Sequence, residues 1–298
     1  MLPGQSPPRR SRRRSILLNR DDAPAERWFS PRRLRRAVDK DLAGYHALVC
    51  GASAGIGRAA AIALASHGAT VTLLSRSAGP LNDVRPILMN AGATETHLLV
   101  ADLADVAGTA EKVKAHLAKA GPLHILVNNS GGPPSGPLLN ATESDLEAAL
   151  APHLLVAHRL VQLLLPGMKE AGYGRIVNVL STGTREPIPG LGVSGIVRSA
   201  MASWAKTMSR ELPPGVTINS VLPGYTDTER LQELAVEIAK RQGKKPDDVR
   251  NGWITNTPEG RLGKPQEIGE AIAFLASPSA SFIRGVLLPV DGGRMASI

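Results

Sequence analysis

Ala47-Leu48-Val49-Cys50 runs directly into Gly51-Ala52-Ser53-Ala54-Gly55-Ile56-Gly57 and then into the alanine-rich stretch 58–67. An apolar run, a glycine turn and a segment in which Ala60, Ala61, Leu64 and Ala65 suit a helix read as strand, turn and helix. Glycine belongs at such a turn because it accepts positive φ and, lacking Cβ, lets backbone N–H groups and a helix N-terminus approach a pyrophosphate. The usual dinucleotide spacing is GxGxxG; here the glycines fall as GxxxGxG.

Outward from this unit, short β-branched or Leu-rich runs alternate with helical stretches. Strands are expected at 46–50, 70–75, 96–100, 123–127, 175–180, 217–222 and 286–290, and helices at 57–67, 80–91, 105–119, 142–168, 195–211 and 265–276. Such alternation predicts an α/β fold, a doubly wound, seven-stranded parallel sheet with helices on both faces. Ligands of open parallel sheets lie outside the carboxyl ends of the strands. The residues there are Ser75-Arg76, Asp102-Leu103, Asn128-Asn129-Ser130-Gly131, Ser181 and Pro223-Gly224-Tyr225-Thr226-Asp227-Thr228. Asp102 suits an adenine amino group, and the small residues at 130–132 let the backbone pass close to a ribose. Taken singly, each reads first as a cap or turn residue; their recurrence at nearly every strand end points to a ligand.

The chain has 298 residues, of which 43% are apolar, enough for one large domain. Its single cysteine, Cys50, excludes an internal disulfide and reads as a buried thiol. No wholly apolar run of about 18 residues is present, so no membrane span is expected. The net charge of +9 is confined to one end: residues 1–37 hold eleven arginines against Asp21, Asp22 and Glu26, leaving a nearly neutral body at 38–298. That Pro- and Arg-rich arm is expected to be disordered apart from a short helix at 34–38, and it reads as a polyanion-binding arm, a targeting peptide or a dispensable extension. The body itself gives no reason to expect nucleic acid. The seven histidines look scattered in sequence, so no metal site is expected.

Gly51-Ala-Ser-Ala-Gly-Ile-Gly57, Asp102, Asn128-Asn129-Ser130-Gly131, Asn178-Val-Leu-Ser181, Pro223-Gly224, 261–268 and Val290-Asp291-Gly292-Gly293 together resemble the short-chain dehydrogenase/reductase family, in particular its 3-oxoacyl-carrier-protein-reductase-like branch. The resemblance spans 42–298 and implies a Rossmann-type domain over 38–298 that transfers a hydride between a nicotinamide cofactor and a carbonyl or alcohol. It implies cofactor contacts at Gly51, Ser53, Ala54, Gly55, Ile56, Gly57, Ser75, Arg76, Asp102, Leu103, Asn129, Ser130, Gly131, Pro223, Gly224, Thr226 and Thr228. Ser75 stands where NAD-preferring members carry Asp, and Arg76 follows as a partner for a 2′-phosphate, which favours NADP(H) over NAD(H).

The same resemblance exposes a departure. The family's catalytic group is an Asn, a Ser, a Tyr and a Lys four residues after the Tyr, and this chain contains no Tyr-x-x-x-Lys. Counting forward from Ser181 and back from Pro223-Gly224 places Ser194 at the Tyr position and Arg198 at the Lys position, while His153 falls at the Asn position. Arg198 keeps a charge for the ribose hydroxyls but gives up no proton. Ser194 is a far weaker acid than a phenol. His153, able to relay protons near neutral pH, and Tyr225 are the candidates for the proton path, each with the alternative of an ordinary packing residue. Pro152 is expected to kink the helix at this point.

Gly131-Gly132-Pro133-Pro134-Ser135-Gly136-Pro137 and Pro187-Ile188-Pro189-Gly190 supply stiff pocket walls, and 227–256 resembles the family's substrate lid, with a helix at 231–240 and cations at Arg241, Lys244 and Lys245. A small or acyl-thioester carbonyl substrate, a homodimer or homotetramer through helices 142–168 and 195–211, and a cytoplasmic location complete the expectation. A cofactor-binding protein without turnover is the competing reading, and a polyanion-binding protein working through its arm is a third.

Overall fold

The computed structural model describes residues 40–297, so the expectations for 1–37 lie outside the described residues. Strands β1 (His46–Cys50), β2 (Thr70–Ser75), β3 (Thr96–Val100), β4 (Ile125–Asn128), β5 (Gly174–Val179), β6 (Val216–Pro223) and β7 (Leu287–Val290) form one sheet in the order β3-β2-β1-β4-β5-β6-β7. Every pairing is parallel. The first three strands have the predicted bounds and the others shift by one or two residues at their ends. Strand order reverses between β1 and β4, which opens a crevice above their carboxyl ends.

Side-chain alternation divides the core into two layers. Ala47 and Val49 of β1 face helices α1 (Gly55–Ser66), α2 (Ala78–Ala91) and the helix Pro265–Ala276, together with Val71, Leu73, Ile125 and Val127. Leu48 and Cys50 face the other way, against α3 (Val106–Ala120) and Leu160, Leu164 and Ala205. Burial raises the Cys50 thiol pKa to about 12, which makes it an inert core residue.

The long helix on the second face is built in three parts. Thr142 caps α4 (Glu143–Leu150) in a capping box with Asp145, a π turn follows at Ala151–Leu155, and α5 (Val156–Glu170) continues beyond it. Pro152, which has no N–H, sits at the start of the π turn, as its position in the sequence predicts. The helix Glu143–Glu170 contains a window long and apolar enough, by length and composition alone, to cross a bilayer. Val156, Ala157, Leu160, Val161, Leu164 and Met168 are buried against the domain, as in a core helix.

Helices α6 (Gly192–Glu211), α7 (Glu229–Gln242), α8 (Pro246–Thr255) and α9 (Pro265–Ala276) complete the layers. Helix α8 lies in the 227–256 segment beyond the helix expected at 231–240. Pro246 in its first turn and Asp247 and Asp248 beside it are the start signal that reveals it.

Three of the seven histidines gather in space. The rings of His46, His97 and His116 lie 5.2, 5.8 and 5.3 Å apart, centroid to centroid. The Thr72 Oγ1 stands between two of them, 2.7 Å from His46 Nε2 and 2.8 Å from His116 Nε2. Among the described residues no group of three His, Cys, Asp or Glu side chains is placed to hold a metal ion.

Candidate active site

The glycine turn forms a cradle that leaves no room for side chains. Gly51 and Gly55 have φ of +60° and +53°. A Cβ on Gly51 would stand 2.6 Å from Asn129 Nδ2, and one on Gly57 would stand 2.1 Å from the Gly51 carbonyl oxygen. Asn129 fastens the turn to β4 by donating to the carbonyls of Cys50 at 3.2 Å and Gly51 at 3.3 Å. The helix α1 starts here with Ala54 at its N-cap, no side-chain cap and no carboxylate in its first turn. Its first N–H groups therefore have no side-chain partner, and the cradle suits the pyrophosphate of a dinucleotide.

The loop after β6 closes over this cradle. A Cβ on Gly55 would come within 3.3 Å of the Thr228 methyl group. Thr228 caps α7 by accepting from Leu231 N at 3.2 Å, and Thr226, buried, donates to the Gly224 carbonyl at 3.1 Å. Asp227 is held by both Nη atoms of Arg250 at 3.0 and 3.1 Å. At the other end of the crevice Ser75 is buried and donates to the Ser77 carbonyl at 3.1 Å, while Arg76 is exposed with no carboxylate within 4 Å among the described residues. The exposed Asp102 accepts from Ala104 N at 3.0 Å, which leaves acceptor capacity on its carboxylate.

Beneath the loops a buried polar ladder crosses the sheet: Asn128 donates to Asn178 Oδ1 at 2.8 Å, and Asn178 donates to Ser220 Oγ at 3.3 Å. It fixes the ends of β4, β5 and β6 relative to one another. Ser181 follows β5 with extended φ, and its Oγ accepts the Gly183 N–H at 3.0 Å. Opposite stand the first two turns of α6. There Arg198 Nε donates to Ser194 Oγ at 3.2 Å, and Arg198 Nη1 donates to the carbonyls of Val179 and Leu180, each at 2.9 Å. Burial pulls the Arg198 pKa down to about 10, so the guanidinium stays charged at neutral pH. Only its Nη2 remains without a protein acceptor among the described residues, about 4.0 Å from where a Cβ on Gly132 would be.

His153 is turned inward by the π turn, 6% exposed, into a small cavity lined also by Cys50, Leu103, Asn128, Asn129 and Ser130. Its Nδ1 lies 2.8 Å from the Ala149 carbonyl, which only accepts, so the ring proton sits on Nδ1 and Nε2 carries a bare lone pair. Nε2 has no partner among the described residues. Burial, with the Arg198 charge adding to it, lowers the His153 pKa to about 4. This corrects the expectation of a relay near neutral pH: the ring is a fixed neutral acceptor there.

Tyr225 is engaged elsewhere. Its ring stacks on Trp253 at 5.2 Å, Arg294 lies 4.8 Å above its centroid, and it lines a crevice with Gly224, Thr226, Glu259, Arg261 and Asp291. Arg294 itself was not anticipated from sequence; it donates to Thr182 Oγ1 at 2.8 Å, and Glu186 accepts from Ala296 N and Ser297 N at 2.9 and 2.8 Å, so the C-terminal segment folds back over the 181–186 loop. Helix α7 is tied to the 131–137 segment by Ser135 Oγ, which donates to Glu237 Oε2 at 2.5 Å, and by Arg230, which donates to the Pro133 carbonyl at 3.3 Å and, within the helix, to Glu237 Oε1 at 3.1 Å.

Comparison with known proteins agrees with this geometry. Residues 51–294 match the family profile described as enoyl-(acyl carrier protein) reductase. The chain is 34% identical over 248 residues to an uncharacterized oxidoreductase of Mycobacterium tuberculosis, covering 83% of this chain and 90% of the relative. It is 34% identical over 254 residues to the 3-oxoacyl-[acyl-carrier-protein] reductase FabG of Vibrio harveyi, covering 85% and 98%. Among solved structures it resembles L-sorbose reductase from Gluconobacter frateurii in complex with NADPH and L-sorbose, with a TM-score of 0.81, 25% identity and coverage of 87% and 100%. It also resembles a 3-oxoacyl (acyl-carrier-protein) reductase from Agrobacterium tumefaciens with NADP bound, with a TM-score of 0.77, 28% identity and coverage of 89% and 99%.

Proposed function

The chain belongs to the short-chain dehydrogenase/reductase family, and on that premise we propose that it is an oxidoreductase that uses NADP(H) to interconvert a carbonyl and an alcohol. The observation that carries the proposal is the cradle at Gly51 and Gly57, which a single Cβ would fill, facing Ser181 across the carboxyl edge of one sheet. When bound, the cofactor supplies or takes a hydride. The residues of this chain do the rest: α1 and the glycine turn bind the pyrophosphate, Asp102 the adenine, Ser130-Gly131 and Arg198 Nη2 the ribose, and Thr226 with Thr228 the carboxamide. Ser181 polarises the substrate oxygen. Arg76, without a carboxylate partner, supports a preference for the 2′-phosphate.

For the substrate we propose a small or acyl-thioester carbonyl compound entering between the 131–137 wall and the lid. A homodimer or homotetramer formed through the helices at 142–168 and 195–211 is supported by Leu155 and Ile196, apolar and about half exposed there at 51% and 45%. A cytoplasmic location goes with this reading.

The test is NADPH oxidation against a panel of acyl-thioester, quinone and small ketone substrates, run beside a fluorescence titration of NADPH binding. Turnover with saturable NADPH binding is the expected result; absence of NADPH binding overturns the reading. A second reading, cofactor binding without turnover, is favoured by Ser194 and Arg198 standing where the family's Tyr and Lys belong. Tight binding with no turnover across the panel would select it.

A further inference from the structure

We propose that Ser181 and Ser194 form a two-hydroxyl oxyanion site charged by Arg198, which takes the place of a side-chain acid, so that the substrate oxygen is stabilised as an alkoxide and its proton comes from water. The inference rests on the hydride-transfer reading above and extends it to the group that handles the charge.

Hydrogen-bond accounting carries the argument. Each serine oxygen already accepts one bond from a fixed donor, Ser181 from the Gly183 N–H at 3.0 Å and Ser194 from Arg198 Nε at 3.2 Å. Each hydroxyl hydrogen is therefore free to donate outward, and accepting a bond from a cation or a backbone N–H polarises the O–H that donates. The two serines belong to one packed corner. Arg198 joins them, since the guanidinium that holds Ser194 also donates to the Leu180 carbonyl, one residue before Ser181. A Cβ on Gly195, next to Ser194, would meet the Gly183 carbonyl at 3.7 Å, and Ser199 Oγ donates to the Thr184 carbonyl at 3.3 Å, so the start of α6 rests on the turn that supports Ser181. Arg198 has no carboxylate within 4 Å among the described residues, and its charge is unspent.

The groups named earlier for the proton path do not compete for this role. The neutral His153 presents a lone pair and donates nothing through Nε2, and the Tyr225 ring is packed on Trp253 and beneath Arg294. The chemistry balances without them. As the hydride adds to the carbonyl carbon, the C=O π pair moves to oxygen; Ser181 and Ser194 donate to the resulting alkoxide and keep their protons. Water then protonates the alkoxide and leaves as hydroxide, and the dehydrogenation runs the same steps in reverse. Preorganised donors aimed at developing charge are worth about 10²- to 10³-fold in rate each in comparable sites.

The test reads ionisation directly and needs no cofactor. para-Nitrophenol is titrated with the full-length protein and its absorbance followed against pH, because phenolate and phenol have distinct spectra. The expected result is that the bound probe ionises about one pH unit or more below the free probe, that is, phenolate binds about tenfold or more tighter than phenol. Ser194→Ala and Arg198→Met should each abolish most of that preference. Arg198→Met also removes the donor to two carbonyls and is prone to misfold, so Ser194→Ala, which deletes one oxygen, decides the matter. A probe that does not bind, binds as the neutral phenol, or shifts equally in Ser194→Ala overturns the proposal. NADPH titration of the same preparations separates this from the parent reading: loss of NADPH binding would sink the oxidoreductase, whereas an unshifted probe with NADPH binding intact would sink the oxyanion site alone.

Discussion

Asn128 and Asn178 sit directly opposite each other in the register of β4 and β5, and their side chains share a hydrogen bond of 2.8 Å inside the sheet. Asn178 passes a second bond to Ser220, its register partner on β6. Both asparagines are buried, and the ladder joins them at the place where three strand ends present their loops. Replacing Asn178 by Ala leaves the Asn128 amide and the Ser220 hydroxyl without that partner. We expect a loss of about 2–3 kcal/mol in urea unfolding. A loss below about 0.5 kcal/mol would show that the ladder does not set the strand ends.

The glycine cradle predicts a graded series. Gly57→Ala forces a Cβ to within 2.1 Å of the Gly51 carbonyl, a backbone atom that cannot turn aside, and should abolish NADPH binding and lower the melting temperature. Gly55→Ala meets only the Thr228 methyl group at 3.3 Å but must adopt φ of +53°, at a cost of about 1–2 kcal/mol. Thermal melts and fluorescence titrations of the two variants should therefore rank Gly57→Ala as the more damaging, and the reverse order would contradict the geometry.

Arg76 tests cofactor choice. Arg76→Glu places a like charge beside a 2′-phosphate and should weaken NADPH binding by about tenfold or more while changing NADH binding little. Equal loss for both cofactors would place Arg76 outside the 2′-phosphate site.

The histidine cluster makes stability depend on pH. Burial, then the neighbouring His97, His116 and His124, lowers the His46 pKa from 6.5 to about 4, and the pKa values of His116 and His124 are lowered as well. The unfolded chain therefore takes up protons below about pH 6.5 that the folded protein refuses. Stability is complete above that pH and falls as the pH drops towards 4, with His46 alone contributing on the order of 3 kcal/mol. Melting temperatures at pH 7.5 and 5.0 should differ clearly, and His46→Asn should shrink the difference. A pH-independent melting temperature would refute the assignment.

Between the pKa of about 4 at His153 and about 10 at Arg198 neither site group titrates. In the direction of carbonyl reduction, where water is the proton donor, turnover on any active substrate should accordingly be flat from about pH 6 to pH 9 in kcat/KM. Installing Ser194→Tyr together with Arg198→Lys restores a titrating phenol beside a cation and should introduce a limb into that profile. An unchanged flat profile in the double variant would argue that this corner does not face the substrate oxygen.

Much of the fold was legible in the sequence because it is written in local pattern. Short β-branched or Leu-rich runs of five or six residues marked the bounds of β1, β2 and β3, and the chain order of strands and helices, with the glycines after β1, was enough to imply a parallel sheet with its ligand at the carboxyl edge. Pro152 marked the place of the π turn in the long helix, and counting from Ser181 singled out Ser194 and Arg198 as candidates. What the sequence could not determine is where long side chains end, since that depends on packing between elements distant along the chain. His46 and Thr72 meet across 26 residues and Arg294 and Thr182 across 112. Only the tertiary structure turned scattered histidines into a cluster, drew Tyr225 onto Trp253, and committed Arg198 to Ser194 and two carbonyls. The physical reason is that a hydrogen bond is settled within a few tenths of an ångström by the elements that carry its partners, whereas residue type and spacing settle only which elements those are.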